Sequence, residues 1–367
     1  MTPARFSARP ELKTLKLYNS GLILADAAAR AKGRRIAKLA SNENPHGPQA
    51  AVQTAMQDAL ARPFLYPDPS ARALADEIAR QTGAPESRVI LGDGSEDLLN
   101  VLARAALNAG DEVVTLYPSF PLHEDYATMM GATVTRIGLT SSHEIDIDAL
   151  LAAAARPVRM TLLANPMNPA GLWLGPDALD ALLKAQHPDS LLCLDEAYVE
   201  YAAGPDYASA ADHLAAHDKP LLILRTFSKA YGLAGLRIGY GISNSDDVIH
   251  AMHLVRTPFN TNAVAQAAAL AALTHKEGMA KAVSSTLRER RRMAEGLTDL
   301  GLHVLPSKGN FLFVDCRQPS VEVADRLIAC GVIVKPWKQE GYETYLRVSV
   351  GLGWENDQFL EAMARVL

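Results

Sequence analysis

The stretch LLILRTFSKAYGLAGLRIGYG, residues 221–241, decides how the rest of the chain is read. It opens on the apolar run Leu221 to Leu224, short and bounded, and such a run predicts a buried strand. Thr226, Ser228 and Lys229 follow together, then a glycine-spaced segment with Gly232 and Gly235, then Arg237. A lysine just beyond a buried strand, among apolar neighbours, is poorly hydrated when charged, so its pKa falls. The neutral amine is a nucleophile suited to forming a Schiff base with an aldehyde. The hydroxyls of Thr226 and Ser228 and the guanidinium of Arg237 suit a phosphate. A loop lysine beside ordinary helix-start hydroxyls would account for an isolated SK pair, but poorly for the whole stretch.

Working outward, the unit of apolar strand and polar loop recurs. RVILGDGSEDLLNVLARAAL (88–107) reads as a strand, a turn at Gly92 and Gly94, and a helix with Leu98, Leu99, Leu102 and Leu107 on its apolar side. That geometry points free backbone N–H groups at an anion. DEVVTLYPSF (111–120), RMTLLANPMNPAG (159–171) and LLCLDEAYVEY (191–201) follow, with helical patterns between them, as at 177–186. Strand–helix alternation over this length predicts an α/β fold with a mostly parallel sheet covered on both faces. Ligands of such sheets sit outside the carboxyl ends of the strands, where all these polar clusters fall. An aldehyde and a phosphate on one molecule point to pyridoxal phosphate.

Upstream, a short helical pattern near Asp26 to Ala31 precedes the loop SNENPHGP (41–48), a helical pattern at 49–61 and a second loop, FLYPDPSAR (64–72). From about residue 260 the texture changes. One long helical stretch covers roughly 262–300, with Arg288, Arg290, Arg291 and Arg292 expected on a solvated face. HVLPSKGNFLFVDC, VIVKPW and YLRVSVG then read as strands around a helix at 321–330, a smaller α+β domain. The expected division is an N-terminal segment (1–45) that packs with the small domain and a partner subunit, a large domain (46–259) and a small domain (260–367).

Composition narrows the function. A chain of 367 residues, 49% hydrophobic and 21% charged, is an ordinary globular protein of about two domains. A net charge of -5 argues against a nucleic-acid partner. Cys193, Cys316 and Cys330 form no CxxC pair and suggest reduced thiols in the cytoplasm. MTPARFSARPELKTLKLYN has no apolar signal-peptide core, and AVAQAAALAAL is too short for a membrane span. His213 and His217 stand at helical ligand spacing without a carboxylate or cysteine companion, so no metal is expected.

NENP (42–45), YPDPSAR (66–72), GDGSED (92–97), NPMNPAG (165–171), DEAYVE (195–200), SKAYGLAGLRIGY (228–240) and LRVSVG (346–351) occur in an order and spacing that resembles the fold-type-I pyridoxal-phosphate aminotransferases. Within that group the chain, from about 41 to 351, is most similar to the histidinol-phosphate aminotransferases. The resemblance implies a large domain on a mostly parallel seven-stranded sheet and a smaller C-terminal α+β domain. It implies transfer of an amino group between histidinol phosphate and 2-oxoglutarate in histidine biosynthesis, by a homodimer with shared active sites. An aromatic amino acid aminotransferase and a phospho-amino-acid decarboxylase are the alternatives.

The resemblance also implies roles. Lys229 is the Schiff-base lysine and the base. Asp195 pairs with the pyridinium nitrogen, Tyr198 and Asn168 bond the phenolic oxygen, and Phe120 stacks on the ring. Backbone N–H groups of Ser95 and Glu96, with Ser228, Arg237 and Thr226, hold the phosphate, joined by Tyr66 from a neighbouring subunit. Arg347 receives the substrate anion through its fork, and Tyr18, Asn42, Asn310 and Lys335 lie near the substrate. The chain departs from the family at Ala170, where threonine is usual, at Leu17, where proline is common, and at Lys335, where many members have arginine.

Overall fold

The computed structural model describes residues 7–18, 22, 24–31 and 33–367. Residues 1–6 and 19 of the N-terminal stretch quoted above lie outside the described residues. Seven strands build the central sheet: β1 (Val89–Gly92), β2 (Glu112–Leu116), β3 (Thr133–Ile137), β4 (Met160–Ala164), β5 (Leu191–Asp195), β6 (Leu221–Thr226) and β7 (Gly239–Ser243). Their spatial order is β1-β7-β6-β5-β4-β2-β3. β7 runs antiparallel to both neighbours, and every other pair is parallel.

The order explains the sequence pattern. β4, β5 and β6 are central, so they are buried on both faces and read as continuous apolar runs. Leu221 to Leu224 are each 0% exposed, and burying such a side chain contributes about 2 kcal/mol. β3 and β7 carry no such run. β3 is an edge strand with partly exposed residues, and β7 is glycine-rich, so pairing rather than composition makes them strands. Gly239 has a specific reason: a Cβ there would lie 2.4 Å from the Ser95 nitrogen. The missing side chain lets β7 pass under the start of the helix Ser95–Ala106.

The long helical stretch after 260 is two helices, Ala263–Thr274 and Glu277–Asp299, separated at His275 and Lys276. The first packs on the helices Ala50–Ala59 and Arg72–Thr82 and joins the core of the large sheet. The second covers the small sheet. The arginine run is not all solvated: Arg288 and Arg291 are exposed, whereas Arg290 turns inward and donates to the Gly309 carbonyl at 2.7 Å. Residues advance about 100° each around a helix, so four arginines within five positions cannot share one face.

The small sheet is antiparallel, with β8 (His303–Val304), β9 (Phe311–Asp315), β10 (Lys335–Pro336) and β11 (Tyr345–Ser349) in the order β10-β11-β9-β8. Helices Ser320–Ala329 and Gly353–Val366 complete its core, which also takes in Ala37 and Leu39 from the N-terminal segment. Ala37–Lys38 pairs in parallel with Val332–Ile333. Among the described residues no helix is long and apolar enough to cross a membrane.

Candidate active site

The carboxyl ends of β2, β4, β5 and β6 face β10 and β11 across a cavity of about 930 Å³. Every residue expected at the site lines it except Tyr66 and Asn310. The α/β topology produces this convergence, because each parallel strand delivers its following loop to the same edge.

Lys229 stands three residues beyond the end of β6, and its Nζ donates to the Ser41 carbonyl at 3.2 Å. Burial first, and then the positive charge of Arg347, lowers its pKa to about 8. A sizeable fraction of the amine is therefore neutral near physiological pH, as a nucleophile or base requires.

Asp195 ends β5 and is 6% exposed. Its Oδ2 lies 3.2 Å from His123 Nε2, and its Oδ1 accepts the Ala197 N–H at 3.2 Å. Its neighbour Glu196 points the other way. Glu196 accepts Arg225 at 2.8 Å, Ser209 and the Ala210 N–H, so one acid of the pair serves the cavity and the other is structural.

Opposite, the helix Ser95–Ala106 presents its first turn to the cavity. The Thr226 hydroxyl donates to Ser228 Oγ at 2.9 Å, and Arg237 Nη1 reaches the same oxygen at 3.4 Å. Arg237 Nη2 also donates to the Asp93 carbonyl at 3.2 Å. Helix start, hydroxyls and guanidinium form an anion cradle. Glu96 accepts the Tyr126 hydroxyl with its side chain, so only its backbone is available to an anion.

A hydrogen-bonded row runs from Arg347 to the Tyr198 phenol. Arg347 donates to Asn168 Oδ1 at 2.9 Å and to the Ala40 carbonyl at 2.7 Å, while its Nε is buried without a partner. Asn168 and Asn42 both donate to the Tyr198 hydroxyl, at 3.3 and 3.0 Å. Burial raises the Tyr198 pKa to about 12, so it is a neutral donor near pH 7. Lys335 is the register partner of Arg347 across β10 and β11, and both line the cavity. Burial, then Arg347, lowers the Lys335 pKa to about 8. Tyr18 lines the rim, its pKa raised by burial of the hydroxyl.

Two expected residues lie elsewhere. Asn310 is buried behind the cavity and donates to the Asn42 carbonyl at 3.0 Å, so it orients Asn42. Tyr66 is 82% exposed and stacks on Phe259 at 4.6 Å, away from its own chain's cavity. Sequence reasoning missed His123 and Ser349, whose hydroxyl donates to Asn42 Oδ1 at 2.9 Å. His123 lies three residues after Phe120 in a helix, a spacing with no chemical signature. His213 lies 3.7 Å from Asp180, and His217 bonds Gln186. Among the described residues no cluster of His, Cys, Asp or Glu is placed to hold a metal.

The donor set fits pyridoxal phosphate: an amine of lowered pKa, a buried carboxylate, a phenol with two amides, and an anion cradle. Gly94 supports the fit, because a Cβ there would lie 2.5 Å from Arg237 Nη2 and obstruct the cradle.

Residues 34–366 match the model of the class I and II aminotransferases. The chain is 50% identical over 367 residues to histidinol-phosphate aminotransferase 1 of Mesorhizobium japonicum, covering 100% of both proteins. It is 49% identical over 358 residues to histidinol-phosphate aminotransferase 3 of Rhizobium meliloti, covering 98% of this chain and 97% of the relative. Among solved structures, histidinol-phosphate aminotransferase from Sinorhizobium meliloti in complex with pyridoxal-5'-phosphate superposes with a TM-score of 0.89 at 28% identity, covering 100% of this chain and 99% of that one.

Proposed function

The chain belongs to the class I and II aminotransferase family, and we propose that within it the protein moves an amino group between histidinol phosphate and 2-oxoglutarate, giving imidazole-acetol phosphate and glutamate in histidine biosynthesis. One observation carries the choice of substrate. Lys335 and Arg347 are register partners facing the cavity that also holds Lys229. Two adjacent cations serve a phosphate dianion, and the planar fork of Arg347 also serves the carboxylate of glutamate. The full-length likeness to histidinol-phosphate aminotransferases supports the same substrate.

Pyridoxal phosphate, when bound, supplies the electron sink for negative charge at the donor's Cα. Asp195 would hold the pyridinium nitrogen, Tyr198 and Asn168 the phenolic oxygen, and the first turn of Ser95–Ala106 with Ser228, Thr226 and Arg237 the phosphate. Phe120 would cover the ring face. Lys229 Nζ takes the proton from the donor's Cα. Arg347 and Lys335 orient the donor by its anionic group, with Tyr18 at the rim and Asn42 steadied by Ser349 and Asn310. Lysine in place of the family's usual arginine at 335 keeps the charge and gives up the fork.

The protein acts as a homodimer in this reading. Phe64, Leu65 and Tyr66 lie exposed on one loop, and Tyr66 stacks on Phe259, itself 41% exposed. An apolar surface of this kind favours a second copy, whose cavity Tyr66 would complete. The unpaired Cys193, Cys316 and Cys330 accord with a cytoplasmic setting.

The test is to mix the holoenzyme separately with histidinol phosphate, phenylalanine and threonine phosphate, following cofactor absorbance and CO₂ release. Fast conversion to the aminated cofactor with histidinol phosphate alone supports the reading. Equal or faster conversion with phenylalanine replaces it with an aromatic aminotransferase, and CO₂ release with a decarboxylase.

A further inference from the structure

The cavity has two walls contributed by different sheets. One is the loop after β2, which carries Tyr117, Ser119 and Phe120; the other is the segment joining β10 to β11, which carries Trp337 and Gln339. A side-chain oxygen of the second wall bonds the first. Gln339 Oε1 accepts the Ser119 backbone N–H at 3.0 Å and the Trp337 indole N–H at 2.9 Å. The tie is reinforced on both sides. The Tyr117 hydroxyl donates to the Glu340 carbonyl at 2.9 Å, and Tyr117 meets Tyr342 edge-on at 5.9 Å. The Ser119 hydroxyl donates to Glu124 at 2.6 Å, and Glu124 is held by Arg136 Nε at 2.8 Å. Trp337 is buried, and the Arg347 guanidinium lies 5.8 Å from its ring centre.

We propose that Gln339 is a positioning residue that sets donor specificity: it locks the wall carrying Trp337 onto the wall carrying Phe120, so that the pocket for the donor's side chain keeps one shape. This rests on the aminotransferase reading above. Gln339 bonds no group expected to react. Its side-chain oxygen is shared by a backbone N–H next to Phe120 and an indole packed near Arg347, so losing that oxygen leaves two donors unsatisfied and loosens the walls, which keep the Tyr117–Glu340 bond. A donor with a ring in its side chain needs both walls. A donor whose side chain is a methyl is held near Arg347 and Lys229 and does not reach them.

The experiment compares single-turnover kcat/KM of the holoenzyme for histidinol phosphate and L-alanine in wild type, Gln339→Met and Gln339→Glu. Methionine keeps length without an acceptor, and glutamate keeps acceptor oxygens. Gln339→Met is expected to lose about tenfold with histidinol phosphate, mainly in KM, the effect of one lost hydrogen bond to buried donors. It loses no more than about twofold with alanine, and Gln339→Glu returns the ratio of the two donors to within about threefold of wild type. An equal loss with both donors, no loss with histidinol phosphate, or no recovery with glutamate overturns the proposal. A melting temperature within a few degrees of wild type confirms a folded variant; if Gln339→Met does not fold, Gln339→Asn, which is one methylene too short to span the walls, takes its place. Should wild type itself refuse histidinol phosphate, the substrate reading fails, and the same ratio is taken with the ring-bearing donor it accepts.

Discussion

His123 Nε2 lies 3.2 Å from Asp195 Oδ2, and the two residues are 2% and 6% exposed. With its hydrogen on Nε2, His123 donates to a carboxylate that has little water to hydrate it. Asp195 lines the cavity and His123 stands behind it, so His123 orients Asp195 without touching substrate. A hydrogen bond to a charged group contributes about 1.5–3 kcal/mol. His123→Phe is therefore expected to lower kcat about tenfold, with a small change in KM for either substrate. Asp195→Ala removes the carboxylate itself and should cost more than His123→Phe; steady-state kinetics on both variants checks the order.

Lys229 carries a stability cost that pH can relieve. Its folded pKa, about 8, lies below the 10.5 of a free lysine, so the unfolded chain binds more protons between those values. The cost is full below pH 8 and fades as pH rises through that window. Lys229→Met in the cofactor-free protein should raise stability at pH 7 by on the order of 2–3 kcal/mol, with the gain shrinking toward pH 10. Urea unfolding at pH 7 and pH 10 measures it. The same variant should show no turnover.

In the proposed reading Lys335 makes phosphate recognition sensitive to alkali. Its pKa, lowered to about 8 by burial and by Arg347, means that its positive charge is present below that pH and lost above it. The kcat/KM for histidinol phosphate should fall as pH rises through 8, roughly tenfold per unit at the limit. Lys335→Arg stays charged and should move that fall to higher pH. A pH profile of the two enzymes decides it.

Arg347 is held on two sides, by Asn168 and by the Ala40 carbonyl, which aims its fork into the cavity. Arg347→Ala should raise KM for glutamate by more than tenfold, and Arg347→Lys should recover little of it, because an ammonium cannot make both bonds. An unaltered KM for glutamate in Arg347→Ala would count against its role.

Tyr66 should act only between subunits. Phe64→Asp or Leu65→Asp puts a charge into the exposed apolar loop and should yield monomers by sedimentation, with most of the activity lost. In mixed dimers of Tyr66→Phe and Lys229→Ala chains, one of the two sites would regain an intact set, and recovered turnover would reveal the shared arrangement.

The placement of the residues proposed for the cofactor is largely a property of local sequence. Asp195 ends a strand, and Lys229, Ser95 and Asn168 each follow one within three or four residues, so strand-end position alone directs them to one edge once the sheet is parallel. The glycines at 94 and 239 stand within these motifs, but the reason for them is tertiary: Gly94 leaves room for the Arg237 guanidinium and Gly239 for the Ser95 backbone. Tertiary structure decided what depends on separation in the chain. His123 reaches Asp195 across 72 positions, and Gln339 reaches Ser119 across 220, contacts that no periodicity encodes. Asn310 carries a motif position yet faces the Asn42 backbone, and Arg290 leaves the solvated face of its run for the Gly309 carbonyl. A side chain's direction is set by the elements packed against it, and sequence carries that information only through the whole fold.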